Sequence, residues 1–284
     1  MNQMLNNKKD IDSWCKAMNI FNYLIQDDLS IKVFQDVDIS NKKLSNLPVK
    51  FLGTTGNFNC SKNSLTSLEN VPIIVGSIFN CSNNKLTSLL HSPKKVAQDF
   101  NCSFNKINSL KHITPVIAGS LNCSNNPLDS LEYCPDIGYS LLCHNCSLIN
   151  LKGCPSVING TLGCTGNKLI NLHGAPDNVR FHLHCDKNPI SSIQGCPKTI
   201  GGEFHIGGNK ILDIDLLNTI VGEEMIHYAD SNEKMIEGFE HLYVYKKNWI
   251  TLNISQKMIS SIILNKSLTE SLLIKKTNIQ KRKI

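Results

Sequence analysis

Among the side chains between residues 144 and 205 that are of the types that ligate metals or carry protons are His144, His182, His184, Asp186, Glu203 and His205. Imidazole nitrogens and carboxylate oxygens at close spacing hold transition metals, and imidazole changes its charge near neutral pH. A second candidate is Cys143-His-Asn-Cys146, a C-x-x-C string of the kind used in thiol redox chemistry and zinc binding. His182 and Glu203 are 21 residues apart, as are His184 and His205, so any joint chemistry depends on the elements that bring those stretches together.

That interval is the period of the chain. FNCSKNSLTSL at 58–68, FNCSNNKLTSL at 79–89, FNCSFNKINSL at 100–110 and LNCSNNPLDSL at 121–131 repeat every 21 residues. The pattern continues, after a one-residue deletion, through 141–151, 162–172, 183–193 and 204–214, and a degenerate copy, VDISNKKLSNL, stands at 37–47. Taking Cys60, Cys81, Cys102, Cys123, Cys143, Cys164 and Cys185 as a reference column, an apolar residue lies two positions before each, the spacing of a short strand with both side chains on one face. Three residues after that column stands Asn63, Asn84, Asn105, Asn126, Asn167, Asn188 or Asn209, with Cys146 as the exception. A buried amide there satisfies backbone groups of adjoining coils. Leu or Ile follows at five and eight residues past the reference, and a proline interrupts each return leg, which excludes a regular helix there and predicts an extended or irregular back.

The string L-x-C-x-x-N-x-L, which covers residues 37–214, resembles the leucine-rich repeat, in which Cys or Asn is accepted at the turn column. The resemblance implies an α/β solenoid: a right-handed superhelix, a short-stranded parallel sheet on its concave face, a mostly irregular convex side and helical caps. In finer detail, DVDISNKKLSNLPVKF followed by FNCSxNxLTSLxxxP units is similar to the short-repeat proteins of tailed bacteriophages and other large DNA viruses, which implies action in a host cytoplasm. Single coils are too small to bury their own apolar side, so both ends need caps. Residues 1–36 are expected to form a helical N-terminal cap, 215–250 a C-terminal one, and 251–284 a basic, partly amphipathic tail.

Composition agrees with this division. The tail region 246–284 holds nine Lys or Arg against one acid, Glu270, while the rest of the chain is slightly acidic. The tail is therefore the segment suited to an acidic surface, an anionic membrane or nucleic acid phosphates. No apolar stretch of about 18 residues occurs, and the N-terminus lacks a secretory pattern, so the expected compartment is the cytoplasm. The cysteines, mostly at one repeat column, are expected to be reduced and buried. The N-C-S tripeptides are a by-product of the repeat. No P-loop, dinucleotide fingerprint or Ser-His-Asp order appears.

The expectation is a non-enzymatic protein-binding scaffold with no cofactor and no small-molecule substrate. Strand alternation turns the residues flanking the cysteine column outward. In the first coils these are Asn59, Asn80, Asn101 and Asn122, a polar strip whose amides either bond one another or meet a partner. In the later coils they are His182, His184, Asp186, Glu203 and His205, with His144 two coils away. Those residues, with Phe104 as an exposed anchor, are the expected partner contacts. A competing reading gives His182, His184, Glu203 and His205 to a metal, although ligands standing parallel on a sheet must rotate to converge. A metal- or nucleic-acid-binding accessory protein, or a structural part of a viral particle, are the remaining alternatives.

Overall fold

The computed structural model describes residues 4–209 and the strands Ile226–Tyr228, Phe239–Tyr245 and Trp249–Ile254. The chain opens with helix α1, Lys8–Ala17, whose first turn is capped by Asn7: its Oδ1 accepts the Asp10 N–H at 2.9 Å. Ile11 and Cys15 lie one turn apart on the buried face of α1. An antiparallel hairpin of Tyr23–Ile25 and Ile31–Val33 follows, and its second strand pairs in parallel with Phe51–Thr54. The N-terminal cap is thus a helix plus a hairpin.

From Val37 onward the chain winds into coils with one strand at the front and one at the back. The front ladder has ten strands in sequence order, from Val37–Asp38 to Ile226–Tyr228. The pairing is parallel and in register, with Phe58 opposite Phe79 and Phe79 opposite Phe100. The return leg is extended as the prolines require, and its two-residue strands pair into a rear ladder. That ladder is interrupted after Asp136–Ile137, in the coil that is one residue short, and resumes at Val157–Ile158. The shortened step itself keeps its rear pairing, Val116 with Asp136 and Ile117 with Ile137, and the break falls on the full-length step that follows, whereas the front ladder passes the same point unbroken.

Between the ladders lies one continuous core. Its front layer is the column Phe58, Phe79, Phe100, Leu121, Leu141, Leu162, Leu183 and Phe204, backed by the cysteine column and by the two Leu/Ile columns, all buried. Burial pushes the Cys60 and Cys102 thiols up to about 12, so they act as small apolar residues. The C-x-x-C pair divides between a buried Cys143 and a half-buried Cys146, both free thiols.

Each coil bends at two left-handed corners. The first comes two residues past the cysteine column, at Lys62, Asn83, Phe104, Asn125, Asn145, Gly166, Lys187 and Gly208, all with φ between 49° and 71°. The second falls at Asn70, His91, His112, Tyr133, Gly153, Gly174 and Gly195. The asparagine column secures the first bend. Asn105 Nδ2 donates to the carbonyls of Cys81 and Cys102, one on each of two coils, while its Oδ1 accepts the Leu86 N–H at 3.0 Å. Asn84, Asn126 and Asn188 repeat this pattern, the role expected of a buried amide at the turn.

Beyond the repeats, the described parts of 215–250 are strands rather than helix: Ile226–Tyr228 extends the front ladder, and Phe239–Tyr245 pairs antiparallel with Trp249–Ile254. Beyond Ile254, the basic, partly amphipathic tail expected at 251–284 lies outside the described residues. No helix among the described residues is long and apolar enough to cross a membrane.

Candidate functional site on the front ladder

Outward-facing residues of the front ladder form three parallel rows. The central row runs Asn59, Asn80, Asn101, Asn122, Leu142, Gly163, His184, His205. The asparagines do not bond one another along the row. Each Oδ1 accepts the N–H two residues onward, as Asn80 does from Ser82 at 3.0 Å, because the strand ends there and its next amide turns back toward the side chain.

Toward the C-terminal end the chemistry changes. His184 and His205 sit opposite each other in register, and their rings lie 4.2 Å apart at 35°. His182 is next to His184 and to Glu203: its ring is 5.8 Å from that of His184, and its Nδ1 accepts the Glu203 N–H at 3.1 Å. Glu203 Oε2 accepts from His205 Nε2 at 2.7 Å. Asp186 is fixed through Oδ1, which accepts the Gly207 N–H at 2.8 Å, and its Oδ2 receives the Thr165 hydroxyl at 3.5 Å. His144 joins from two coils away because Gly163 between them has no side chain. A Cβ there would meet His144 Nε2 at 2.3 Å. All six residues expected to act together are thus gathered and half-buried, whereas Phe104 stands apart at a corner four coils away, 54% exposed.

Hydrogen bonding separates these residues by what the fold asks of them. His144 Nδ1 accepts the Thr165 N–H at 3.3 Å, as Ser124 Oγ one coil earlier accepts the His144 N–H. Asp186 performs the same task for Gly207, and His182 does for Glu203 what Ser140 does for Thr161. His144, His182 and Asp186 therefore carry coil-to-coil bonds that serine supplies elsewhere. His184 carries none: its ring nitrogens make no hydrogen bond among the described residues. The Glu203–His205 bond links two side chains and leaves the backbone ladder untouched.

Electrostatics follows from burial and crowding. Desolvation, and then the neighbouring imidazoles of His205, His182 and His144, push His184 down to about 4. Burial also lowers His144. Desolvation raises Asp186, against the opposing pull of the Gly207 N–H, and the hydrogen bond from His205 lowers Glu203. At neutral pH the His184 imidazole is uncharged, the form that ligates metals.

Sequence reasoning missed Thr165, Gly163 and Gly207. Thr165 and Gly207 act through position and a backbone N–H, which residue type does not announce. Gly163 had a readable signal: a bare position in a row otherwise filled by Asn, Leu and His. Also unforeseen is the aromatic pair Tyr139 and Phe181, with ring centres 5.8 Å apart, beside His182.

No family model matches the chain, and no curated protein matches it. Among solved structures it is similar to two leucine-rich-repeat proteins. YopM from Yersinia enterocolitica WA-314 is 15% identical, with a TM-score of 0.33 over 70% of this chain and 57% of that one. The functional domain of InlJ from Listeria monocytogenes, described as including a cysteine ladder, is 17% identical, with a TM-score of 0.30 over 69% of this chain and 47% of that one. The chain spans about half the length of these two structures.

Proposed function

We propose that the chain is a non-enzymatic protein-binding scaffold that engages a protein partner along the outward side of its front ladder and the adjoining corner. The observation that carries this reading is Phe104. Its corner column is otherwise Lys, Asn or Gly, yet this aromatic ring is held at φ 54° and is 54% exposed. A left-handed backbone costs a non-glycine residue roughly 1–2 kcal/mol, and a ring more than half exposed returns little of that to the fold. Large aromatics are the side chains that anchor partners when buried on binding. His144, His182, His184, Asp186, Glu203 and His205 complete the contact surface, and the likeness of the repeat units to those of viral proteins is what supports a host cytoplasm as its setting.

The test compares the intact chain with Phe104→Gly and with a variant carrying alanine at His182, His184, Glu203 and His205 in affinity capture from the native cell. Phe104→Gly is expected to melt at a higher temperature and to capture less of one specific protein. Undiminished capture by both variants overturns the assignment.

A further inference from the structure

We propose that the C-terminal end of the front ladder binds one late first-row transition-metal dication, of the zinc class, through His184, His205 and Asp186. The donor atoms of these three residues lie within 4.8 Å of one another, all half-buried. Their coordinating types, two imidazoles and a carboxylate, are those of borderline cations such as zinc and copper. This ligand set differs from the one the sequence suggests. Asp186 replaces Glu203, because Glu203 is occupied with His205, and His182 is occupied with the Glu203 backbone.

Three features distinguish this cluster from polar residues that happen to meet. Two of the ligands are oriented from behind. Glu203 holds Nε2 of His205, and the Gly207 N–H holds Oδ1 of Asp186, which fixes the carboxylate beside the imidazoles. Carboxylate–histidine and amide–carboxylate supports of this kind set tautomer and direction in metal sites. The third ligand, His184, is half-buried among imidazoles and has no hydrogen-bonding task in the ladder, so its place is accounted for by neither the fold nor a neighbour. Finally, a metal–nitrogen bond of about 2.0–2.1 Å puts tetrahedral donor atoms about 3.4 Å apart. The three side chains must therefore close by roughly an ångström, which rotation about their χ angles provides on strands that stay in register. Three protein ligands leave the fourth position to water on the solvent side.

The inference is independent of the partner-binding reading, since its test needs only the purified chain. The full-length protein, stripped with a chelator, is titrated with Co2+ and then with competing Zn2+. The expected result is one ion per chain with the visible bands of nitrogen and oxygen coordination. Binding weakens about 10–100-fold in Glu203→Gln, the loss typical of removing a carboxylate that orients a ligating histidine, and more in His184→Ala and Asp186→Asn. His184→Gln, which keeps the volume and polarity of the site, serves if the alanine variant does not fold, and must also lose the ion. Absence of binding, a sulfur-to-cobalt charge-transfer band, which would assign the ion to the cysteines, or full retention by the His184 variants overturns the proposal.

Discussion

Cys146 interrupts the amide column inside the run of cysteine-bearing coils, and it shows what that column contributes. Its Sγ lies 3.6 Å from the Cys123 carbonyl and 3.5 Å from that of His144, where an asparagine would reach the carbonyls of both coils at about hydrogen-bond length. Cys146→Asn is therefore expected to raise stability by about 1 kcal/mol, the net worth of a regained hydrogen bond. Asn105→Ala strands the buried Leu86 N–H and removes one of two amide donors from the Cys81 and Cys102 carbonyls, which keep Asn84 and Asn126, and is expected to cost about 1–3 kcal/mol. Urea denaturation of both variants measures the pair. A destabilised Cys146→Asn would mean that the sulfur fills a slot the amide does not fit.

At the scale of the ladder, the cysteine column makes a prediction about reactivity. Burial raises Cys60 and Cys102 to about 12 and lifts Cys81 and Cys123 well above the ordinary thiol value. A raised thiol keeps its proton until the pH passes that value, so raising the pH from 7 to 9 creates little thiolate in the column. An exposed cysteine, with a pKa of about 8.5, gains most of its thiolate over the same interval. Alkylation of the native protein, read by mass spectrometry, is expected to spare these four residues at both pH values; labelling at pH 9 equal to that in denaturant would contradict a closed column. The column itself was legible in the sequence because a strict period of 21 residues forces equivalent positions onto equivalent environments. The pairing of His184 with His205 was legible for the same reason. The rear ladder was less so: prolines declare that helix is excluded, but Ile74–Val75 or Asp136–Ile137 is too short for any alternation to register. Nor does residue type reveal that Asp186 faces the imidazoles while Glu203 supports them, since that follows from which backbone amide each side chain meets.

For the whole molecule the decisive question is how an open-ended stack of coils is terminated. Every coil buries its apolar face on its neighbours, so the first coil is complete only if something covers it. α1 and the hairpin do this. Trp14 stands edge-on to Phe51 at 6.2 Å, Phe51 meets Phe58 at 4.9 Å, and the phenylalanine column continues inward through Phe79. The hairpin strand Ile31–Val33 also pairs with Phe51–Thr54, the first rear strand of the repeats. Deleting residues 1–36 removes both covers at once, leaving an apolar end and an unpaired strand edge of the kind that recruits further chains. The deleted protein is expected to elute from size exclusion as higher oligomers and to melt earlier. Ile11→Ala, which leaves a void in the cap but keeps the edge paired, is expected to cost about 2–5 kcal/mol and to remain monomeric. Separating the two matters: if both variants associate, loss of packing alone opens the stack, and if neither does, the first coil closes itself and the cap has some other task. Association confined to the deletion would identify strand pairing by the hairpin as what terminates the solenoid.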